Sequence, residues 1–155
     1  MKIIIGALLI ICTLLSCTAK TSIEVKGPSL PIEGTWKLIT GTLIEKGDTV
    51  VTQYNKNISF IKIINNTHFA FMLHDLKKAK DTTATYSSGG GAYTLKDSTY
   101  TEHLEYSSDR AAEGYDFTFT IRINNDTLTQ HGIEKIESKG IERMNTEVYV
   151  RIKRG

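Results

Sequence analysis

Tyr115-Asp116-Phe117-Thr118-Phe119-Thr120-Ile121-Arg122-Ile123-Asn124 is the stretch that decides the fold. Tyr115, Phe117, Phe119, Ile121 and Ile123 alternate with Asp116, Thr118, Thr120, Arg122 and Asn124. Side chains of a strand point alternately to its two faces, so this spacing predicts a strand with one buried and one wetted face. Asn124-Asn125-Asp126 follows as a turn, and Thr127 to Ile133 resumes as the partner strand.

The same pattern extends in both directions. Thr35 to Ile44, Thr49 to Gln53, Ile58 to Ile64 and Thr67 to His74 read as strands, separated by Glu45-Lys46-Gly47-Asp48 and by Asn65-Asn66. Ala92 to Leu95 and Thr99 to Tyr106 flank the turn Lys96-Asp97-Ser98, and Met144 to Lys153 is the last strand. Trp36, Leu38 and Ile44 share a face of the first strand; Phe69, Phe71 and Leu73 share one opposite His68, Met72 and His74. In the last strand Val148, Val150 and Ile152 stand opposite Glu147, Tyr149 and Arg151. No window shows convincing helical periodicity. Asp75 to Lys80 is the best candidate for a single turn, and Ile133 to Arg143 reads as a loop with strand-like ends.

Strands joined in succession by short turns imply antiparallel meander pairing. Eight or more of them have two economical solutions, a sandwich or a closed barrel. A sandwich usually needs long crossings, so the expected fold is all-β: an antiparallel up-and-down β-barrel of eight to ten strands. Such an interior is filled by side chains or holds one small ligand.

Upstream, Met1-Lys2 is a short positive start, Ile3 to Leu15 is apolar and uncharged, and Leu14-Leu15-Ser16-Cys17 follows. About 20 apolar residues are needed to span a bilayer, so this run is too short for an anchor helix. It resembles a bacterial lipoprotein signal, which implies cleavage before Cys17 and lipid on that residue. The expected organisation is residues 1–16 as signal, 17–33 as a flexible tether carrying lipidated Cys17, and 34–155 as the barrel domain. Thr18 to Glu33 contains both prolines, Pro28 and Pro31, and little apolar periodicity. By resemblance to other lipoproteins, Thr18 lacks a retention-type Asp and the tether lacks an acidic cluster. The expected location is therefore the outer membrane, facing the periplasm.

The net charge of +2 becomes +1 once Lys2 leaves with the signal. A near-neutral domain has no general electrostatic reason to bind nucleic acid. Cys12 leaves with the signal and Cys17 carries lipid, so nothing remains for a disulfide, a thiolate nucleophile or a cysteine metal site.

Gly34-Thr35-Trp36-Lys37-Leu38 resembles the G-x-W opening strand of the calycins, the lipocalins and fatty-acid-binding proteins. Thr67-His68-Phe69, Gly89-Gly90-Gly91-Ala92-Tyr93-Thr94-Leu95, Thr99-Tyr100-Thr101-Glu102-His103 and Tyr149-Val150-Arg151 are similar to small lipocalin-like lipoproteins of Bacteroidota. The match spans Gly34 to Lys153. That group has no established function, so the resemblance implies a barrel and a small-molecule pocket. It also implies that Arg151 covers Trp36, a favourable guanidinium–indole contact. The parity of Val148, Val150 and Ile152 argues instead for an outward, solvated Arg151.

Glu102 shares a face with Tyr100, Leu104 and Tyr106. If that face is inward, the carboxylate needs a partner, with Arg122, Arg143, Arg151 and tyrosine hydroxyls as candidates. Trp36, Phe69, Phe71, Tyr93, Tyr100, Glu102, Phe117 and Phe119 form the candidate ligand-binding set. The competing reading is a filled barrel that contacts another envelope protein through Lys77 to Gly91 and Ser107 to Gly114.

His68 and His74 share a face but stand about 20 Å apart along a strand, too far to hold one metal. No metal or cofactor is expected. No paired acid, base or nucleophile is evident, so no enzyme is expected; haem on His103 or His131 is the remaining cofactor alternative. Gly89-Gly90-Gly91 lacks the features of a phosphate loop and reads as a mobile loop or a strand kink at a barrel corner. Asp48-Thr49-Val50, Asp81-Thr82-Thr83, Asp97-Ser98-Thr99 and Asp126-Thr127-Leu128 resemble O-glycosylation sites of Bacteroidota and equally suit turns entering strands. The expected partners are the membrane, through the lipid, and a small apolar or amphipathic molecule, with the protein a monomer.

Overall fold

Turn chemistry sets the strand pairing. Lys46, Asp97 and Asn125 each take a left-handed backbone conformation at the first position of a two-residue hairpin, with φ of 52°, 54° and 52°. Such turns match the twist of the strands they join. Asn65 closes a further turn by accepting on Oδ1 from the backbone N–H of Thr67 (2.9 Å) and of His68 (2.8 Å).

The computed structural model describes residues 30–54, 57–78 and 84–153. Ten strands follow in order: β1 (Gly34–Glu45), β2 (Asp48–Gln53), β3 (Ile58–Ile64), β4 (His68–Asp75), β5 (Tyr86–Lys96), β6 (Thr99–His103), β7 (Tyr106–Ser107), β8 (Asp116–Asn124), β9 (Thr127–Ile136) and β10 (Ile141–Arg151). All described pairings are antiparallel. The ladder runs β1-β3-β4-β5-β6-β8-β9-β10, and β10 pairs back onto β1. Eight strands therefore close a lipocalin-like up-and-down barrel. β2 continues the β1 edge beyond β3, and β7 continues the β5 edge beyond β6.

The alternation in β8 holds residue by residue. Phe117, Phe119 and Ile121 are buried, whereas Asp116, Thr118, Thr120, Arg122 and Asn124 are exposed. The core also takes in Trp36, Leu38, Ile64, Phe69, Tyr100, Leu128 and Tyr149. Each fully buried large apolar side chain contributes about 1.5–3 kcal/mol.

Several expectations are corrected. Ile44 is 44% exposed, because the pairing of β1 with β10 shifts register between Leu38 and Thr40. The inward face of β10 is Glu147, Tyr149 and Arg151, while Val150 and Ile152 face outward, so the apolar parity of that strand misleads. Ile133 to Arg143 is a hairpin: β9 runs to Ile136, a 3-10 turn spans Glu137–Lys139, and Gly140 caps it at φ 63°. Asp75 ends β4 with no helical turn over the described residues 76–78; Ala79 and Lys80 lie outside them, as does the Asp81-Thr82-Thr83 candidate.

The glycine run is strand, inside β5. A Cβ on Gly90 would stand 2.5 Å from the Phe69 carbonyl oxygen, and one on Gly91 would stand 2.0 Å from that of His103. At Gly91 the crowding comes from the segment that bends between β6 and β7, where Glu105 N–H also donates to the Gly90 carbonyl at 3.1 Å. This is the barrel-corner role. Of the two expected contact loops, residues 86–91 are therefore strand. Ser107 to Gly114 carries a 3-10 turn (Arg110–Ala112) capped by Asp109.

Trp36 and Arg151 close one end. The Arg151 guanidinium carbon lies 4.0 Å from the centre of the indole. Its two terminal nitrogens donate to the carbonyls of Glu33 (2.5 Å) and Pro31 (2.6 Å). The indole N–H donates to the Ile32 carbonyl at 2.7 Å. Gly34, at φ 138°, lets this happen, since a Cβ there would meet Arg151 Nη1 at 2.6 Å. The last part of the expected tether is thus seated on the barrel, with Ile32 3% exposed.

Candidate functional site

The inner face of the β9–β10 ribbon is polar along its middle. Cross-strand neighbours Glu134 and Arg143, then Gln130 and Glu147, point into the barrel. Arg143 Nε donates to Glu134 Oε2 at 2.8 Å, and Asn145 Nδ2 donates to Glu134 Oε1 at 2.6 Å. Gln130 Nε2 and the Tyr149 hydroxyl both donate to Glu147 Oε2, at 2.7 and 2.6 Å.

Opposite this ribbon, β3 contributes Lys62. Phe60, Lys62 and Ile64 share the inward parity of that strand, and Lys62 is 2% exposed. Its Nζ donates to Glu102 Oε1 at 2.6 Å and to Gln130 Oε1 at 3.0 Å. The ammonium also lies 5.2 Å from the centre of the Tyr149 ring and 5.9 Å from that of Phe69. Glu102 therefore does point inward; its ionic partner is Lys62 and none of Arg122, Arg143 or Arg151, while the expected tyrosine neighbour is Tyr100. A buried pair is held only when its remaining hydrogen-bonding capacity is also met; Gln130 and the aromatic faces do this.

Above this floor lies a partly open cavity of about 250 Å³. Phe60, Phe71, Phe117, Phe119 and Leu104 give it apolar walls, and Lys62, Glu102, Gln130, Glu134, Arg143 and Glu147 give it polar ones. Phe60 and Phe71 stack at 5.6 Å, 8° from parallel. Asp109 and Ala112 bring the 3-10 segment to the wall, where Lys139 pairs with Asp109 at 2.5 Å. Burial raises the Glu147 carboxyl above its ordinary range, with Lys62 and the Tyr149 hydrogen bond opposing, and Glu134 and Glu102 reinforcing.

The structure brings Phe71, Glu102, Phe117 and Phe119 together on the cavity wall. Trp36 belongs to the closed end. Phe69 packs behind Lys62. Tyr93 donates from its hydroxyl to the Asn65 carbonyl at 2.8 Å and borders the closed-end groove of Leu30, Pro31 and Ile32. Tyr100 is fully buried against Tyr93, with ring centres 5.3 Å apart. The residues that sequence reasoning missed are Lys62, Gln130, Glu134, Arg143 and Glu147. The parity of Phe60, Lys62 and Ile64, and of Leu128, Gln130, Glu134 and Ile136, was the available signal.

The Tyr100 hydroxyl is buried beside the Glu102 carboxylate. Burial first, and then the nearby Glu102 carboxylate, push its phenol far above the ordinary range.

Among the described residues, no three His, Cys, Asp or Glu side chains are grouped to hold a metal. His103 pairs with Asp116 at 2.8 Å, and His131 contacts the Thr146 hydroxyl at 3.0 Å. No described helix is long and apolar enough to cross a membrane.

Fold and cavity together define a closed antiparallel barrel with a small polar-floored pocket. The chain belongs to the family described as a domain of unknown function, DUF4488, which matches residues 31–155. No curated protein matches it.

Proposed function

We propose that this protein is a cell-envelope lipoprotein whose barrel holds a small amphipathic molecule. The observation that carries the reading is the partly open cavity of about 250 Å³ with aromatic walls and a polar floor tied together by side-chain hydrogen bonds. Ligand sites pair an apolar lining with a few placed polar groups, usually in about 300–1,000 Å³. This one suits a ligand at the small end. The filled-barrel alternative loses its main support, since side chains leave this space open.

Leu14-Leu15-Ser16-Cys17 supports lipidation at Cys17 and anchoring to the outer membrane on its periplasmic side. Two or more acyl chains give stable attachment where one does not. The reading is of binding rather than catalysis: Lys62 is engaged by Glu102 and Arg143 by Glu134, so neither cation of the cavity is free to act as an acid.

The test is native mass spectrometry of the full chain extracted from its host envelope. A discrete added mass that disappears on denaturation is expected, beyond the mass of the attached lipid. A bare lipidated polypeptide, unchanged after incubation with an envelope extract, would overturn the binding reading.

A further inference from the structure

The charged groups lining the cavity do not balance. Lys62 is matched by Glu102 at 2.6 Å and Arg143 by Glu134 at 2.8 Å. At the wall, Asp109 is matched by Lys139 at 2.5 Å. Glu147 is left over. Its Oε2 accepts from two neutral donors, Gln130 and Tyr149. Among the described residues it makes no salt bridge, and its Oε1 has no hydrogen-bond partner. Glu147 is half-buried in the cavity wall, where a carboxylate with no cation beside it favours the arrival of one.

We infer that the cavity takes a small organic cation, an amine carried on an apolar body, with Glu147 receiving the charge. This rests on reading the cavity as a ligand site. The apolar body would lie against Phe60, Phe71, Phe117 and Leu104, and aromatic faces add to the attraction for an ammonium group. The cavity has the volume of about eight waters, which limits the ligand to a single ring or a short chain. An anionic ligand is disfavoured by the same geometry. Both cations of the wall are already paired, and a ligand carboxylate would sit beside Glu102, Glu134 and Glu147.

The site also predicts a pH dependence. Burial keeps a proton on Glu147 to higher pH than an ordinary carboxyl, with Glu102 of β6 and Glu134 of β9 adding to this. Lys62 of β3 and Tyr149 of β10 oppose it. An ammonium group binds the ionised form. Amine affinity therefore rises as pH rises through the range in which Glu147 loses its proton, while the ligand amine is still charged.

The experiment is calorimetric titration of the full chain in mild detergent with three probes of one shape: phenethylamine, 2-phenylethanol and 3-phenylpropionate. The amine is expected to bind at least about tenfold more tightly than the other two, the scale of a hydrogen bond to a charged group. In Glu147→Gln, which keeps the side-chain shape, the amine preference should shrink to within about twofold and the pH dependence should vanish. Tighter binding of the alcohol or the acid would overturn the cation assignment and leave the cavity standing as a ligand site. So would an amine preference that survives in the variant. If none of the three binds, the ligand reading fails along with the inference. The comparison of probes on the unaltered protein decides the matter even if Glu147→Gln does not fold.

Discussion

Lys62→Met loses about 3–5 kcal/mol of stability, because removing one member of a buried pair leaves the other charge uncompensated. Glu102 has 9% of its side chain exposed and receives its short hydrogen bond from Lys62. Without Lys62, the carboxylate must either stay charged in a poor solvent or take up a proton. The Gln130 side-chain oxygen loses its donor as well. The diagnostic comparison is the double variant Lys62→Met/Glu102→Leu. Replacing a whole buried pair by apolar groups is often neutral or stabilising, so the double variant should recover most of the loss. Urea unfolding of the two single variants and the double variant measures this cycle directly. A near-neutral Lys62→Met would show that water entering through the cavity solvates Glu102 and that the pair is not a structural keystone.

Trp36→Ala is the second large effect, again about 3–5 kcal/mol. The indole is fully buried, packs at the closed end and donates to the Ile32 carbonyl. Its loss opens a cavity and frees residues 30–33 from the barrel. Arg151→Ala probes the same junction more gently. Loss of the guanidinium–indole stack costs about 0.5–2 kcal/mol, together with the two bonds to the carbonyls of Pro31 and Glu33. Trp36 is the only tryptophan, so its emission reports on this end alone and should shift to the red in Arg151→Ala. Unchanged stability and unchanged emission in that variant would dismiss the stack.

The barrel was legible because its strands carry their own punctuation. The β8 alternation and the turns at Lys46-Gly47, Asp97-Ser98 and Asn125-Asp126 are local signals, and the structure keeps them. The failures share one physical origin. A polar interior inverts the usual rule that the apolar parity faces in. Glu147, Tyr149 and Arg151 face inward in β10 because Gln130 and Trp36 on the flanking strands and Lys62 on β3 await them, and those contacts are not visible within one strand. Lys62 was passed over for the same reason: between Ile61 and Ile63 it looks like an outward cation on an apolar strand. The register shift that exposes Ile44, and the close approaches of β4 to Gly90 and of the β6–β7 bend to Gly91, depend on pairings between separate strands. Half of the candidate aromatic and acidic set reaches the cavity because parity gives the face of a residue but not its height along the barrel axis.

The most direct test of the central claim uses the five phenylalanines as reporters. Four of them, Phe60, Phe71, Phe117 and Phe119, line the cavity, and Phe69 does not. With fluorine-labelled phenylalanine, five resonances can be followed as phenethylamine, 2-phenylethanol and 3-phenylpropionate are added in turn. The account predicts that at least one probe moves the four cavity signals together and leaves Phe69 in place. If the four stay fixed for every probe, or Phe69 moves most, the cavity is not where this barrel binds a ligand.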